Sequence, residues 1–219
     1  MTSRRRDCCA YFSALALAWA APGLAGAAPA AQSKTAPLVL VVGDSLSAEY
    51  GLARGQGWVA LLEQRLKEKK LPLQVLNASI SGDTTAGGRA RFGALLQQHK
   101  PSVVIIELGG NDALRGLPLA SSHENLLAMT RAAKAAGARV LLLGMQVPPN
   151  YGASYGREFA GIFERIAKEE KVALTPFLLK GVADRPDAMD WFQPDRIHPL
   201  AKAHPVMLDL VWPSLQPLL

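Results

Sequence analysis

The run Pro37-Leu-Val-Leu-Val-Val42, unbroken, rich in β-branched side chains and stopped by Gly43, constrains this chain more than any other stretch. A strand that is apolar at every position can expose neither face to water, so it belongs inside a sheet covered on both sides. Parallel strands meet that demand, because their crossover helices supply the cover. Similar runs recur at Leu73 to Leu76, Val103 to Leu108 and Val140 to Met145, with a shorter candidate at Val172 to Leu174. Segments of helical period fall between and after them: Trp58 to Lys70, Ala86 to Gln98, Asn125 to Ala136, Arg157 to Glu170 and Ala201 to Leu210. This alternation predicts a three-layer α/β/α sandwich around a central parallel sheet, with ligands at the carboxyl ends of the strands.

The amino end differs in kind. Arg4, Arg5 and Arg6 precede an apolar run from Ala10 to Ala21, then Pro22, Gly23 and small residues through Ala28. That layout is a secretory signal peptide, and the apolar run is too short for the roughly 20 residues of a membrane-spanning helix. Ala25 and Ala27 fit cleavage before Ala28, and Ala28 and Ala30 would serve a later cut. The expected organisation is a leader at 1–27, a linker at 28–36 and one domain at 37–219, exported to the periplasm or beyond the cell. A chain of 219 residues with 49% hydrophobic content suits a single core.

Both cysteines, Cys8 and Cys9, would leave with the leader, so no disulfide can form in the remainder. Cleavage after Ala27 also removes Arg4, Arg5, Arg6 and Asp7, which brings the formal charge from +6 to +4. The remaining basic residues are spread along helical faces such as Gln64 to Lys70 rather than interleaved with aromatics, which argues against a nucleic-acid surface.

Chemistry gathers where the strands end. The first buried strand runs into Gly43-Asp44-Ser45-Leu46-Ser47, placing a serine at the mouth of the sheet, although Ser45 or Ser47 could equally cap a helix. A serine hydroxyl is a weak nucleophile unless a base and a third, orienting group stand beside it. Asp195 and His198 lie three residues apart, bracketed by Pro194 and Pro199, a spacing that can put both on one side of a turn. Asp44 neighbours Ser45 too closely in sequence to reach it and is expected to brace the turn. An oxyanion needs preorganised donors. Asn111 in Gly109-Gly110-Asn111-Asp112 and a backbone N–H at Gly82 could supply them at the same edge.

These four blocks, Gly43-Asp44-Ser45-Leu46, Gly82, Gly109-Gly110-Asn111-Asp112 and Asp195-Arg-Ile-His198-Pro199, resemble in order those of the SGNH (GDSL) hydrolase superfamily. The likeness extends through Ser45-Leu-Ser-Ala-Glu-Tyr-Gly51, Asn111-Asp-Ala-Leu-Arg-Gly116 and Pro148-Pro-Asn-Tyr-Gly152, and is nearest to the multifunctional bacterial periplasmic thioesterase, lysophospholipase and arylesterase group. The resemblance implies a flavodoxin-like sheet, no metal or other cofactor, and an oxyanion hole built from the Ser45 and Gly82 N–H groups and the Asn111 side chain. Three positions depart from it. Glu49 replaces a small residue, Arg196 stands where glycine is common, and the segment after Pro199 lacks a usual asparagine. Glu49 would either disfavour anionic acyl carriers such as coenzyme A or point into solvent.

The reading is therefore an exported serine esterase, with Ser45, Asp195 and His198 catalytic and small acyl esters, thioesters or lysophospholipids as substrates. Leu114, Leu117, Pro148, Tyr151, Trp191 and Phe192 would offer apolar surface to an acyl chain. No stable membrane anchor is expected, and a monomer is the favoured assembly. A carbohydrate O-deacetylase with the same triad is the alternative within enzymes. An exported binding protein, which needs no triad, is the alternative outside them.

Overall fold

The computed structural model describes residues 36–219; the leader at 1–27 and the linker up to residue 35 lie outside the described residues. In chain order the elements are β1 (Leu38–Gly43), α1 (Trp58–Glu68), β2 (Gln74–Asn77), α2 (Thr85–His99), β3 (Val103–Glu107), α3 (Gly110–Leu114), α4 (Leu119–Ala135), β4 (Arg139–Leu143), α5 (Ala153–Glu170), β5 (Ala173–Thr175) and α6 (His204–Leu215). All strands pair in parallel, in the order β2-β1-β3-β4-β5. Helices α1 and α6 pack together on one side of the sheet, and α2, α4 and α5 pack together on the other, giving three layers. Among the described residues no helix is long and apolar enough to cross a membrane.

The unbroken apolar runs occupy the places their composition requires. Strands β1 and β3 are central neighbours, and every residue of β3 is buried. Their register sets Gly43 opposite Glu107, so both strands deliver their following loops to the same edge. Helix α1 turns Trp58, Val59, Leu62 and Leu66 inward, and α5 turns Phe159, Ile162, Phe163 and Ile166 inward, each at helical spacing.

Several elements depart from the sequence reading. Strand β2 is a half-buried edge strand with Gln74 and Asn77 exposed, so its composition matches a strand covered less completely than β1. The Gly109-Gly110-Asn111-Asp112 segment is not only a turn: Gly109, at φ 116°, reverses the chain into the short helix α3. Helix α4 begins at Leu119 rather than near Asn125, because Pro118 sets the entry and Leu119 and Ser122 are buried against the core. The last helix is preceded by a 3₁₀ turn at Ala201–Ala203 and continues to Leu215 through Pro213, held by buried Val211 and Leu215.

Candidate active site

At the end of β1 the chain folds over itself, with the Ser47 and Ala48 N–H groups both donating to the Asp44 carbonyl at 3.2 and 3.0 Å. Asp44 Oδ1 accepts from the Leu46 N–H at 3.0 Å and braces the turn from inside. The two serines of this segment divide their work. Ser47 is buried, donates to Glu107 Oε2 at 2.7 Å and accepts from Trp58 Nε1 at 3.2 Å. Ser45 is only half-buried and turns its hydroxyl to His198 instead.

The hydroxyl of Ser45 meets the ring of His198, with Nε2 to Oγ at 2.8 Å, and the opposite ring nitrogen, Nδ1, lies 2.7 Å from Asp195 Oδ2. Partial burial pushes the Asp195 carboxyl up, but hydrogen bonds from the His198 backbone, the His198 ring and the Ile197 N–H outweigh it and hold Asp195 at about 2. An ionised carboxylate only accepts, so the ring nitrogen facing Asp195, Nδ1, is the donor of that bond, which leaves Nε2 to face Ser45.

The loop bearing this pair is closed tightly. Asp195 Oδ1 takes the Ile197 and His198 N–H groups at 2.9 and 3.0 Å, Gln193 N–H donates to the His198 carbonyl at 2.8 Å, and Phe192 bridges Pro199. Gln193 then ties this loop to the serine loop, donating from Nε2 to the Tyr50 carbonyl at 2.9 Å and the Pro199 carbonyl at 3.2 Å. The Tyr50 ring covers the imidazole, with centroids 4.3 Å apart. Neither Tyr50 nor Gln193 stands out in the sequence, because each works through a loop far away along the chain.

Gly82 and Asn111 come to the same edge. Gly82 has φ 80°, a conformation that favours glycine, and among the described residues neither its N–H nor that of Ser45 has a protein acceptor. Asn111 Nδ2 donates to Asp44 Oδ2 at 3.1 Å and to the Asp83 carbonyl at 3.0 Å, so a bound substrate oxygen has to compete for one of these bonds. Arg91 pins the loop carrying Gly82 through Asp83 Oδ2 and the Ala78 carbonyl, and Arg115 spans the Gly82 carbonyl at 3.0 Å and Asn111 Oδ1 at 3.5 Å.

Of the candidate acyl-binding residues, Leu117, Pro148 and Tyr151 are exposed on loops after β3 and β4, and Leu114 is half-buried. The Tyr151 hydroxyl donates to the Leu114 carbonyl at 3.2 Å, joining these two loops. Trp191 and Phe192 lie half-buried against the core, and Trp191 has Arg185 and Lys202 over its ring at 4.3 and 5.1 Å. Exposed Tyr50, Ile80 and Ile197 add apolar surface that the sequence reading did not assign to the rim.

Glu49 is half-buried and tied into its own loop. Its carboxylate accepts the Gly57 N–H at 2.7 Å and the Gly55 N–H at 3.0 Å, closing the loop ahead of α1. Both Glu49 and Arg196 have φ 60°, a left-handed conformation that favours glycine.

Beneath the serine turn lies a buried pair of carboxyls. Burial raises Asp44 to about 6, against the pull of Leu46 and Asn111, and burial together with Asp44 raises Glu107 well above the ordinary carboxylate range. Elsewhere, burial lowers His204 to about 4, and its neutral ring accepts the Trp58 N–H at 3.0 Å.

Known proteins resemble this chain in sequence and in fold. The sequence matches the model of the GDSL-like Lipase/Acylhydrolase family over residues 41–206. It is 52% identical over 188 residues to Esterase TesA of Pseudomonas aeruginosa, covering 86% of this chain and 92% of that protein. It is 42% identical over 187 residues to the Thioesterase 1/protease 1/lysophospholipase L1 of Escherichia coli, covering 85% and 87% respectively. The crystal structure of TesA superposes with a TM-score of 0.80 at 52% identity, covering 83% of this chain and 99% of that one. A family match that spans every block from the Ser45 turn to the His198 loop, on a shared fold, establishes that this chain belongs to the GDSL-like lipase/acylhydrolase family.

Proposed function

We propose that this chain is an exported serine esterase that hydrolyses carboxylic esters, and thioesters or lysophospholipids among them, through an acyl-enzyme on Ser45. The observation that carries the reading is the continuous hydrogen-bond chain from Asp195 to His198 to Ser45, at 2.7 and 2.8 Å. Ser45 Oγ attacks the carbonyl carbon while His198 Nε2 takes the hydroxyl proton, and the carbonyl oxygen becomes an oxyanion. The Ser45 and Gly82 N–H groups receive that charge, and the Asn111 amide turns one N–H from the Asp83 carbonyl towards it. The imidazolium protonates the departing alcohol or thiol as the tetrahedral carbon collapses. Water then enters, gives its proton to His198 and releases the acid, restoring Ser45. Asp195 holds the Nδ1 proton and stabilises the imidazolium throughout, without taking the proton itself.

The relatives are named for esterase, thioesterase and lysophospholipase activity, and the exposed apolar side chains around Ser45 suit an acyl chain better than a sugar. Export rests on the arginine-led apolar segment before Ala28. The test is hydrolysis of p-nitrophenyl esters of increasing acyl length by the chain from Ala28, beside Ser45→Ala. The substitution is expected to lower turnover by more than about a thousandfold without changing the melting temperature. Equal activity in both proteins overturns the mechanism; activity on acetylated sugars alone favours a deacetylase. Mass spectrometry of the full-length product recovered outside the cytoplasm reads the cleavage position directly.

A further inference from the structure

Glu107 is the one charged residue in the otherwise apolar strand β3, fully buried and paired in register with Gly43. A single oxygen of its carboxyl, Oε2, accepts the Asp44 N–H at 3.2 Å and the Ser47 hydroxyl at 2.7 Å. Those two donors flank Ser45 on either side, so one atom holds both shoulders of the turn. Among the described residues Oε1 is buried without a hydrogen-bond partner, a cost a fold rarely carries for packing alone.

The surroundings are shaped to this carboxyl. A methyl group at Gly43 would lie 2.7 Å from Glu107 Oε2 and 2.8 Å from Ser47 Oγ, so glycine before Asp44 leaves room for Glu107. Trp58 Nε1 donates to the same Ser47 hydroxyl at 3.2 Å, extending the chain of bonds into the first helix. On the other side, Asp44 Oδ2 accepts the Asn111 amide at 3.1 Å. The turn of Ser45 and the amide of Asn111 are thus referred to one buried point.

We propose that Glu107 is a positioning residue for ester hydrolysis, clamping the backbone on both sides of Ser45 and, through Asp44, aiming the Asn111 amide at the oxyanion. This rests on the reading of Ser45 as nucleophile. The Asp44 carboxyl stands close enough to Glu107 for its charge to add to burial in raising Glu107. Two adjacent buried carboxyls cannot both ionise readily, and Glu107, the more deeply buried, keeps the proton. Glutamine, a neutral donor and acceptor of nearly the same shape, is therefore the closest replacement.

The experiment compares the chain from Ala28 as wild type, Glu107→Ala, Glu107→Gln and Ser47→Ala, measuring kcat and KM on a p-nitrophenyl ester together with thermal melting. Glu107→Ala and Ser47→Ala are expected to lower kcat by about tenfold to a hundredfold, the scale of a small misplacement of reacting groups, with KM nearly unchanged. Glu107→Gln is expected to recover most of that loss. A folded Glu107→Ala protein with wild-type kcat overturns the proposal, as does a loss confined to KM or a Glu107→Gln protein no better than Glu107→Ala. If Glu107→Ala does not fold, Ser47→Ala decides, since wild-type kcat there overturns the clamp. Failure of the underlying reading is separately visible: wild type would escape labelling by a fluorophosphonate, or Ser45→Ala would remain active.

Discussion

At the scale of single residues, the role proposed for the Asp195 carboxylate depends on its charge rather than its shape. Asp195→Asn keeps the size and the backbone hydrogen bonds to Ile197 and His198, but no longer demands a proton on His198 Nδ1. The substitution is expected to lower kcat by at least about a hundredfold with little change in KM or melting temperature, measured by steady-state hydrolysis at neutral pH. The meeting of Asp195, His198 and Ser45 was legible because Ser45 follows a buried strand and Asp195 and His198 lie three residues apart between two prolines. Glu107 was present in the same sequence as a charge inside Val103-Val-Ile-Ile-Glu107, yet its partners lie 60 and 63 residues away. Spacing rules do not reach across that distance. Glu49 and Arg196 were recognisable as departures, but the left-handed backbone that both adopt is visible only in the folded chain.

At the scale of elements, the entry to helix α1 depends on a group from α6. His204 Nδ1 accepts the Trp58 N–H, satisfying one of the helix's unpaired donors, and a protonated ring cannot do so. Because burial holds His204 at about 4 while an unfolded chain takes the proton near 6.5, the unfolded state binds more protons between these values. Stability from this group is therefore complete above about pH 6.5, falls as the pH is lowered towards 4 and levels off below. Asp44, raised to about 6, acts in the opposite sense over part of that window, so the comparison must be between proteins. Between pH 7 and pH 4.5, urea unfolding is expected to show wild type losing roughly 2–3 kcal/mol more than His204→Gln. The strands themselves were legible because an apolar run has few alternatives. Helix α3 was not, since Gly109-Gly110 reads as a turn and only the packing of Asp112 and Ala113 extends it. Asp112 accepts the Thr85 N–H at 2.9 Å and so fixes the start of α2 as well.

At the scale of the whole molecule, stability rests on packing across three layers. A chain beginning at Ala28 contains no cysteine, so its unfolding midpoint is expected to be identical with and without a thiol reductant; a shift would place a redox-sensitive group in a domain that has none. The sheet order puts β1 and β3 at the centre, and the layer arrangement was legible from the alternation of runs, whereas the joining of the rim loops by Gln193 and Tyr151 was not. The bond between His198 and Ser45 spans 153 residues, from the first strand to the loop before the last helix. That span has a consequence in time. During synthesis, a chain released as far as β5 already carries Ser45 in the turn after its strand but lacks His198, the partner of its hydroxyl. On the proposed mechanism a product broken off before His198 is inert however well its sheet has formed, so hydrolysis would report on the completeness of the polypeptide as sharply as on the chemistry of its serine.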